Sequence, residues 1–295
     1  MGCNNVTFAN FTINAPATSL NTDGIHIGRS SEINIIDSFI STGDDCISLG
    51  DGSRKINVLR VTCRPGHGIS VGCFGNFTYE EPVEGTTTVS DLHYEDIIMV
   101  NVSNPILIEQ DYCPYNQCSK ETPSKINISK VAFENIKGTS ATPDGVKLIC
   151  SSGVPCEDAK LSKIDLTFNG APTTTKCANV KPVNIGKAPS SSSAEAQHVI
   201  FDIRKYGASP NRDMTQMHVH RRMLPKLIPT STYKLGQVDL RGPCKAPIEV
   251  EVDGIILAPT NPEKLDGNAQ WVKFGYINFF TLSGGGTFDG QGQSA

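Results

Sequence analysis

Ser31-Glu32-Ile33-Asn34-Ile35 and Arg54-Lys55-Ile56-Asn57-Val58 stand 23 residues apart and repeat one pattern of alternating apolar and polar residues. Ser124-Lys125-Ile126-Asn127-Ile128 and Ser162-Lys163-Ile164-Asp165-Leu166 carry it again, and the gap of 70 from Ile56 to Ile126 is close to three times 23. Between the copies lie short β-branched runs, Gly24-Ile25-His26-Ile27 and Cys46-Ile47-Ser48-Leu49, closed by Gly, Asn, Asp and Ser. Helical periodicity is nearly absent. Short strands at such a period suggest a solenoid or a propeller. The runs are too short and irregular for propeller blades, and Asn recurs at the turns. The expected fold is therefore all-β, a right-handed parallel β-helix (solenoid) of irregular or truncated form, each coil stacked on the last at ~4.8 Å.

Composition agrees with a folded domain. The 295 residues carry 27 Gly and 18 Pro, are 38% hydrophobic, and have a net charge of −4. These values exclude a disordered, collagen-like or coiled-coil chain. The charge gives no general reason to bind nucleic acid or an anionic membrane, and no apolar run approaches the ~20 residues of a membrane span. A monomer without a cofactor or metal is expected. Ten cysteines and five Asn-X-Ser/Thr sequons, at Asn5, Asn10, Asn76, Asn101 and Asn127, point to an oxidising, extracellular setting, although Met1-Gly2-Cys3-Asn4-Asn5 lacks the features of a secretory signal. The close pairs Cys113/Cys118 and Cys150/Cys156 have neither CxxC spacing nor a nearby His, so disulfides fit them better than a metal.

The Ser-rich stretch 186–197 reads as a linker between residues 1–185 and 198–295. The basic run from Met217 to Lys226 has no interleaved aromatics and reads as a solvated loop.

Asp23 lies in Asn21-Thr22-Asp23-Gly24, Asp44 and Asp45 in Gly43-Asp44-Asp45-Cys46, and His67 in Gly66-His67-Gly68. The separations, 21 and 23 residues, are one coil each. In a stacked solenoid such residues are neighbours across ~5 Å. A lone Asp-Asp would cap a turn; three Asp and a His in one-coil register converge on one wall. Clustered carboxylates repel, so one can stay protonated beside others that polarise water, which is the apparatus of inverting glycoside hydrolysis. Ca²⁺ held by the carboxylates of a lyase is an alternative, but it leaves His67 unexplained.

These three motifs resemble three of the four signature motifs of the polygalacturonases, glycoside hydrolase family 28. Wider stretches, Asn21 to Gly28, Arg64 to Val71, Tyr112 to Cys118 and Ser283 to Gly292, resemble its plant pollen exopolygalacturonase branch. The resemblance implies hydrolysis of α-1,4-galacturonosyl bonds in pectin with inversion, by a protein secreted to the cell wall. It implies Asp44 as proton donor, Asp23 and Asp45 as activators of water, and His67 as support for the acid. Asn21, Gly68 and Tyr112 are implied in substrate binding.

Two features depart from the family. Its Arg-Ile-Lys motif, which binds the substrate carboxylate, is missing: Val83-Glu84-Gly85 runs through Thr86-Thr87-Thr88 into Leu92-His93-Tyr94 without that coil. Lys55, Arg60 and Arg64 are nearby in sequence but do not match the missing positions. Residues 198–295 also resemble the family's N-terminal region, yet follow residues 1–185, which resemble its central and C-terminal coils. Impaired hydrolysis is expected, with a catalytically inactive pectin- or protein-binding solenoid as the alternative. Cys46 follows the Asp-Asp corner and Cys63 precedes the next corner by one coil, so these two are expected to pair, followed by Cys150 with Cys156 and Cys113 with Cys118.

Overall fold

A computed structural model describes residues 2–72, 88–110, 124–180, 201–202, 213–214, 226–242, 247–260 and 270–291. Every regular element among them is a strand. The strands pair in parallel, apart from the two-residue Ala171–Pro172, which turns back on Glu157–Phe168. The architecture is the expected right-handed parallel β-helix.

One row of paired strands runs its whole length. In spatial order it comprises Phe201–Asp202, Lys226–Ile228, Ile248–Val252, Asn278–Ser283, Asn4–Ala9, Ser31–Ile36 and Arg54–Leu59. The first part of Thr88–Glu109, then Asn127–Ser140 and Glu157–Phe168, complete it. The spatial order thus begins in the second half of the chain, with Asn278–Ser283 stacked directly on Asn4–Ala9. Nine strand spacings cover roughly 43 Å. From Val180 to Phe201 the chain has 21 residue steps and can reach about 70 Å when extended, so it suffices to span the length of the row.

Alternation within each strand sends every second side chain inward. Val6, Ile33, Ile56, Leu92, Val131 and Ala159 are successive partners across the row, all buried. Ile35, Val58, Tyr94, Phe133 and Leu161 form a second internal ladder, in which Tyr94 and Phe133 stack with centroids 4.7 Å apart. Each such aliphatic or aromatic side chain contributes about 1.5–3 kcal/mol by leaving water. The asparagines of the repeat face outward, where Asn57 Nδ2 donates to Asn34 Oδ1 at 2.9 Å and Asn34 Nδ2 to Thr7 Oγ1 at 3.3 Å.

The structure corrects the register of the repeat. The true partners of Ser31-Glu32-Ile33 and Arg54-Lys55-Ile56 are Ser90-Asp91-Leu92, Ser129-Lys130-Val131 and Glu157-Asp158-Ala159. Each coil places its second residue in the left-handed region, with φ of 58° at Glu32, 54° at Lys55, 57° at Asp91, 53° at Lys130 and 52° at Asp158. The copy at Ser124 lies five residues early. The copy at Ser162 belongs to the next corner of the coil, where Lys163, Asn135 and Asp96 are the left-handed residues. Both corners use the same polar-then-aliphatic wording because both must turn an outward strand end back into the core.

Of the expected disulfides, Cys46–Cys63 and Cys150–Cys156 are formed. Cys113, Cys118, Cys73 and Cys244 lie outside the described residues, as do Tyr112 and the 186–197 stretch. Cys3, half-buried, and Cys177, exposed, are free thiols.

Candidate active site

A separate row carries the candidate residues. It stacks Ile25–Ile27, Asp45–Leu49, Gly66–Gly72, the end of Thr88–Glu109, Asp144–Ile149 and Thr174–Ala178. Asp23, Asp44, Asp45 and His67 sit where the first three of these coils enter the row. Backbone bonds tie the corners together: Asp44 N–H donates to Thr22 O at 3.1 Å, Gly24 N–H to Asp45 O at 2.8 Å, and His67 N–H to Asp44 O at 2.7 Å. The one-coil spacing of the sequence is therefore one strand spacing in space.

Two glycines make the approach possible. Gly68 has φ of 109°, and a Cβ there would stand 2.2 Å from Asn104 O on the following coil. A Cβ at Gly66 would stand 2.7 Å from Cys46 Sγ and 3.0 Å from Asp44 O. The Cys46–Cys63 bond thus packs beneath both the aspartate and the histidine corners.

The side chains form three hydrogen-bonded groups. His67 Nδ1 lies 2.7 Å from Asp44 Oδ1. Ser70 Oγ donates to Asp45 Oδ2 at 2.5 Å, and Ser48 Oγ donates to Asp23 Oδ2 at 2.5 Å. His26 Nδ1 stands 2.8 Å from Ser48 Oγ, extending the third group to the exposed imidazole. Since Ser48 gives its proton to Asp23, its oxygen is free to accept from His26 Nδ1–H.

Burial pushes the Asp45 carboxyl up to about 7. The negative charges of Asp23 and Asp44 push in the same direction, against the Ser70 hydrogen bond and the His67 charge. The cluster therefore retains a proton near neutral pH, as a general acid site requires. Nearest donor atoms of Asp44, Asp45 and His67 lie within 4.8 Å of one another. Ca²⁺ takes oxygen ligands, and the imidazole in this group is a poor partner for it, which weighs against the lyase alternative.

Four of the expected residues, Asp23, Asp44, Asp45 and His67, are brought together. Gly68 acts through backbone geometry. Asn21 is exposed with φ of 51°, and none of the hydrogen bonds of the cluster reaches it. Ser48, Ser70 and His26 were not anticipated; their signal is a polar residue between two aliphatics, repeated one coil apart. Lys55 and Arg60 are engaged elsewhere, with Glu32 at 2.9 Å and Asp37 at 2.6 Å. The concavity lined by Asn10, Asp37, Phe39, Arg60 and Thr62 contains none of the site residues.

A parallel β-helix bearing three carboxylates and an imidazole on adjoining coils defines the class of protein. Glycosyl hydrolases family 28 matches residues 1–85, 78–193 and 221–295, and the chain belongs to that family. It is 54% identical over 213 residues to a polygalacturonase of Medicago sativa, covering 64% of this chain and 51% of that one. It is 50% identical to an exopolygalacturonase of Oenothera organensis, covering 63% and 59%. The chain spans about half the length of the curated relatives it matches. Among solved structures, an endo-xylogalacturonan hydrolase from Aspergillus tubingensis aligns with TM-score 0.47 and 21% identity, over 64% of this chain and 60% of that one.

Proposed function

We propose that this chain hydrolyses α-1,4-galacturonosyl bonds of pectin with inversion, at Asp23, Asp44, Asp45 and His67. The observation that carries this reading is the convergence of those four side chains from three adjoining coils, with His67 Nδ1 2.7 Å from Asp44 Oδ1. Family membership supports the substrate class. Asp44 gives its proton to the departing glycosidic oxygen, and His67 Nδ1 holds the Asp44 carboxyl in place. Asp23 and Asp45 take the proton of the attacking water, each oriented by a serine. Asp44 and Asp45 stand closer than the ~6.5–9.5 Å that an acid and a base separated by water need. The water therefore belongs in the gap toward Asp23. The burial of Asp45 favours a second assignment, in which Asp45 donates the proton and Asp44 with His67 activates water. The alkaline limb of the pH–rate profile separates the two, since it reports the group that must be protonated and disappears with the donor's Asn variant.

The missing Arg-Ile-Lys coil impairs this activity. Two charge-assisted contacts are worth roughly 1.5–3 kcal/mol each, so their loss lowers kcat/KM on the order of 10²–10⁴-fold relative to an intact relative. The stacking of Asn278–Ser283 on Asn4–Ala9 supports reading 198–295 as the spatially first coils and 1–185 as those that follow, with 186–197 as the linker. Extracellular, cell-wall location and a monomeric state complete the proposal, supported by the disulfides and by the relatives' kind. The test is product analysis on polygalacturonate. New reducing ends without ultraviolet-absorbing unsaturated ends support hydrolysis. Unsaturated ends mark a lyase, and binding without cleavage marks the inactive solenoid.

A further inference from the structure

Outward-facing positions on the active-site row continue past the catalytic coils. His26, Ser48, Ser70, Leu107, Lys147 and Lys176 are successive partners, one per coil. Their neighbours on the middle four strands, Ile47 and Leu49, Ile69 and Val71, Ile106 and Ile108, and Val146 and Leu148, are all buried. The row therefore faces out on the same side as Ser48 and Ser70, which hold Asp23 and Asp45. Beyond Ser70 it offers one apolar side chain and then two cations.

Lys147 does not project straight out. Its Nζ donates to Asn104 Oδ1 at 3.1 Å, which draws the ammonium back by one coil toward the site. Asn104 is the strand partner of Gly68, whose neighbour is His67. The ammonium is thus held over the strand next to the His67 corner, about one strand spacing away.

The counter-charges fit a free valence at Lys147. Asp144 takes a hydrogen bond from Lys176 Nζ at 2.7 Å and another from Thr174 Oγ1 at 2.7 Å, and these, the Lys176 bond first, hold its carboxyl below the usual range. Lys147 Nζ forms only a long ion pair with Asp144, at 3.8 Å, which is beyond hydrogen-bond reach and takes up none of its donors. An ammonium has three donors. Among the described contacts only the neutral Asn104 amide takes one of them. Lys147, Lys176 and Asp144 together leave one net positive charge beside a cluster of three aspartates.

We propose that Lys147, positioned by Asn104, binds the carboxylate of a uronate residue held beside the Asp23, Asp44, Asp45 and His67 cluster, with Leu107 under the C–H face of the sugar. The proposal rests on the hydrolase reading for its substrate class. A polyanion approaching three aspartates needs a local cation, and Lys147 is one held on the same face. Lys55 and Arg60, already paired with Glu32 and Asp37 in another row, are not placed to serve.

The test is calorimetric titration of trigalacturonate into the full chain carrying Asp44→Asn, which keeps the ligand intact, with Lys147 native, Lys147→Gln or Lys147→Arg. A linear trimer of neutral galactose is titrated in parallel. Removing one charge-assisted contact is expected to weaken trigalacturonate about tenfold to a hundredfold. Lys147→Arg should recover most of that loss, and the neutral trimer should not distinguish the variants. Thermal melting confirms that the variants fold. Equal affinity of Lys147→Gln and the native lysine for trigalacturonate overturns the proposal, as does equal loss for the neutral trimer or no binding of trigalacturonate at all. If Lys147-dependent binding is seen while the chain with native Asp44 releases no reducing ends, the hydrolase reading fails and the carboxylate site stands.

Discussion

Replacing Asp45 by Asn should make the protein more stable at pH 8 and leave it unchanged near pH 4. The native carboxyl is pushed up to about 7, from an ordinary value of 3.8, chiefly by burial. Its folded-state value lies above its unfolded one, so between the two the folded chain binds more protons. Stability then falls as pH rises from about 4 to 7 and levels off above. At 1.36 kcal/mol per unit the full shift corresponds to about 4 kcal/mol, and solvent that still reaches the carboxyl reduces this to ~1–2 kcal/mol. Asparagine removes the penalty while its carbonyl oxygen can still accept from Ser70 Oγ. Parallel thermal melts at intervals from pH 4 to 8 would show the variant's advantage opening through this window, by roughly 2–6 °C. An advantage constant with pH, or one that shrinks as pH rises, refutes the argument that burial holds a proton on Asp45.

Gly68→Ala should cost about 2 kcal/mol or more, because φ of 109° is strained for alanine and its Cβ would stand 2.2 Å from Asn104 O; an unchanged melting temperature counts against the described approach of the two coils. Cys46→Ala with Cys63→Ala, which opens a bridge between residues 17 apart, should lower stability by ~3 kcal/mol. Peptide mapping without reduction should find those two cysteines linked in the parent. Tyr94→Phe should raise stability by about 1 kcal/mol in a denaturant titration, since the buried hydroxyl has no partner among the described residues and the stacking on Phe133 is kept. A clear loss would reveal a hidden partner for that hydroxyl.

The fold was legible because the two copies at Ile33 and Ile56 belong to uninterrupted coils, where sequence distance equals one turn of the helix. The same arithmetic fails beyond Val71. Residues 73–87 and 111–123 enter between strands, so the partner of Ile56 is Leu92 and its partner is Val131. The multiple of 23 at Ile126 was a coincidence of those lengths. The candidate set was legible for the same reason as the first repeats, as Asp23, Asp44 and His67 sit on three consecutive coils before the first of those segments. Ser48 and Ser70 were hidden because serine between aliphatics is common in any half-exposed strand. Lys147 was hidden more deeply. Its place depends on an irregularity between Asn104 and Ile106 that sets the register of Leu107, and no spacing in the sequence records it. The spatial precedence of residues 226–291 over residues 4–14 was suggested by resemblance alone, and rests in the structure on the Val6–Phe280 and Thr12–Thr287 pairings.

The central claim is that the Asp23, Asp44, Asp45 and His67 cluster cleaves galacturonan by general acid catalysis. The most direct measurement is the rate of reducing-end release from polygalacturonate by the chain and by its Asp44→Asn variant, at matched folding. General acid catalysis is worth ~10²–10⁴-fold. A slow but measurable release by the parent, reduced at least a hundredfold in the variant, is the predicted result. Equal release by the two proteins, or none by the parent under conditions where trigalacturonate binds, contradicts it.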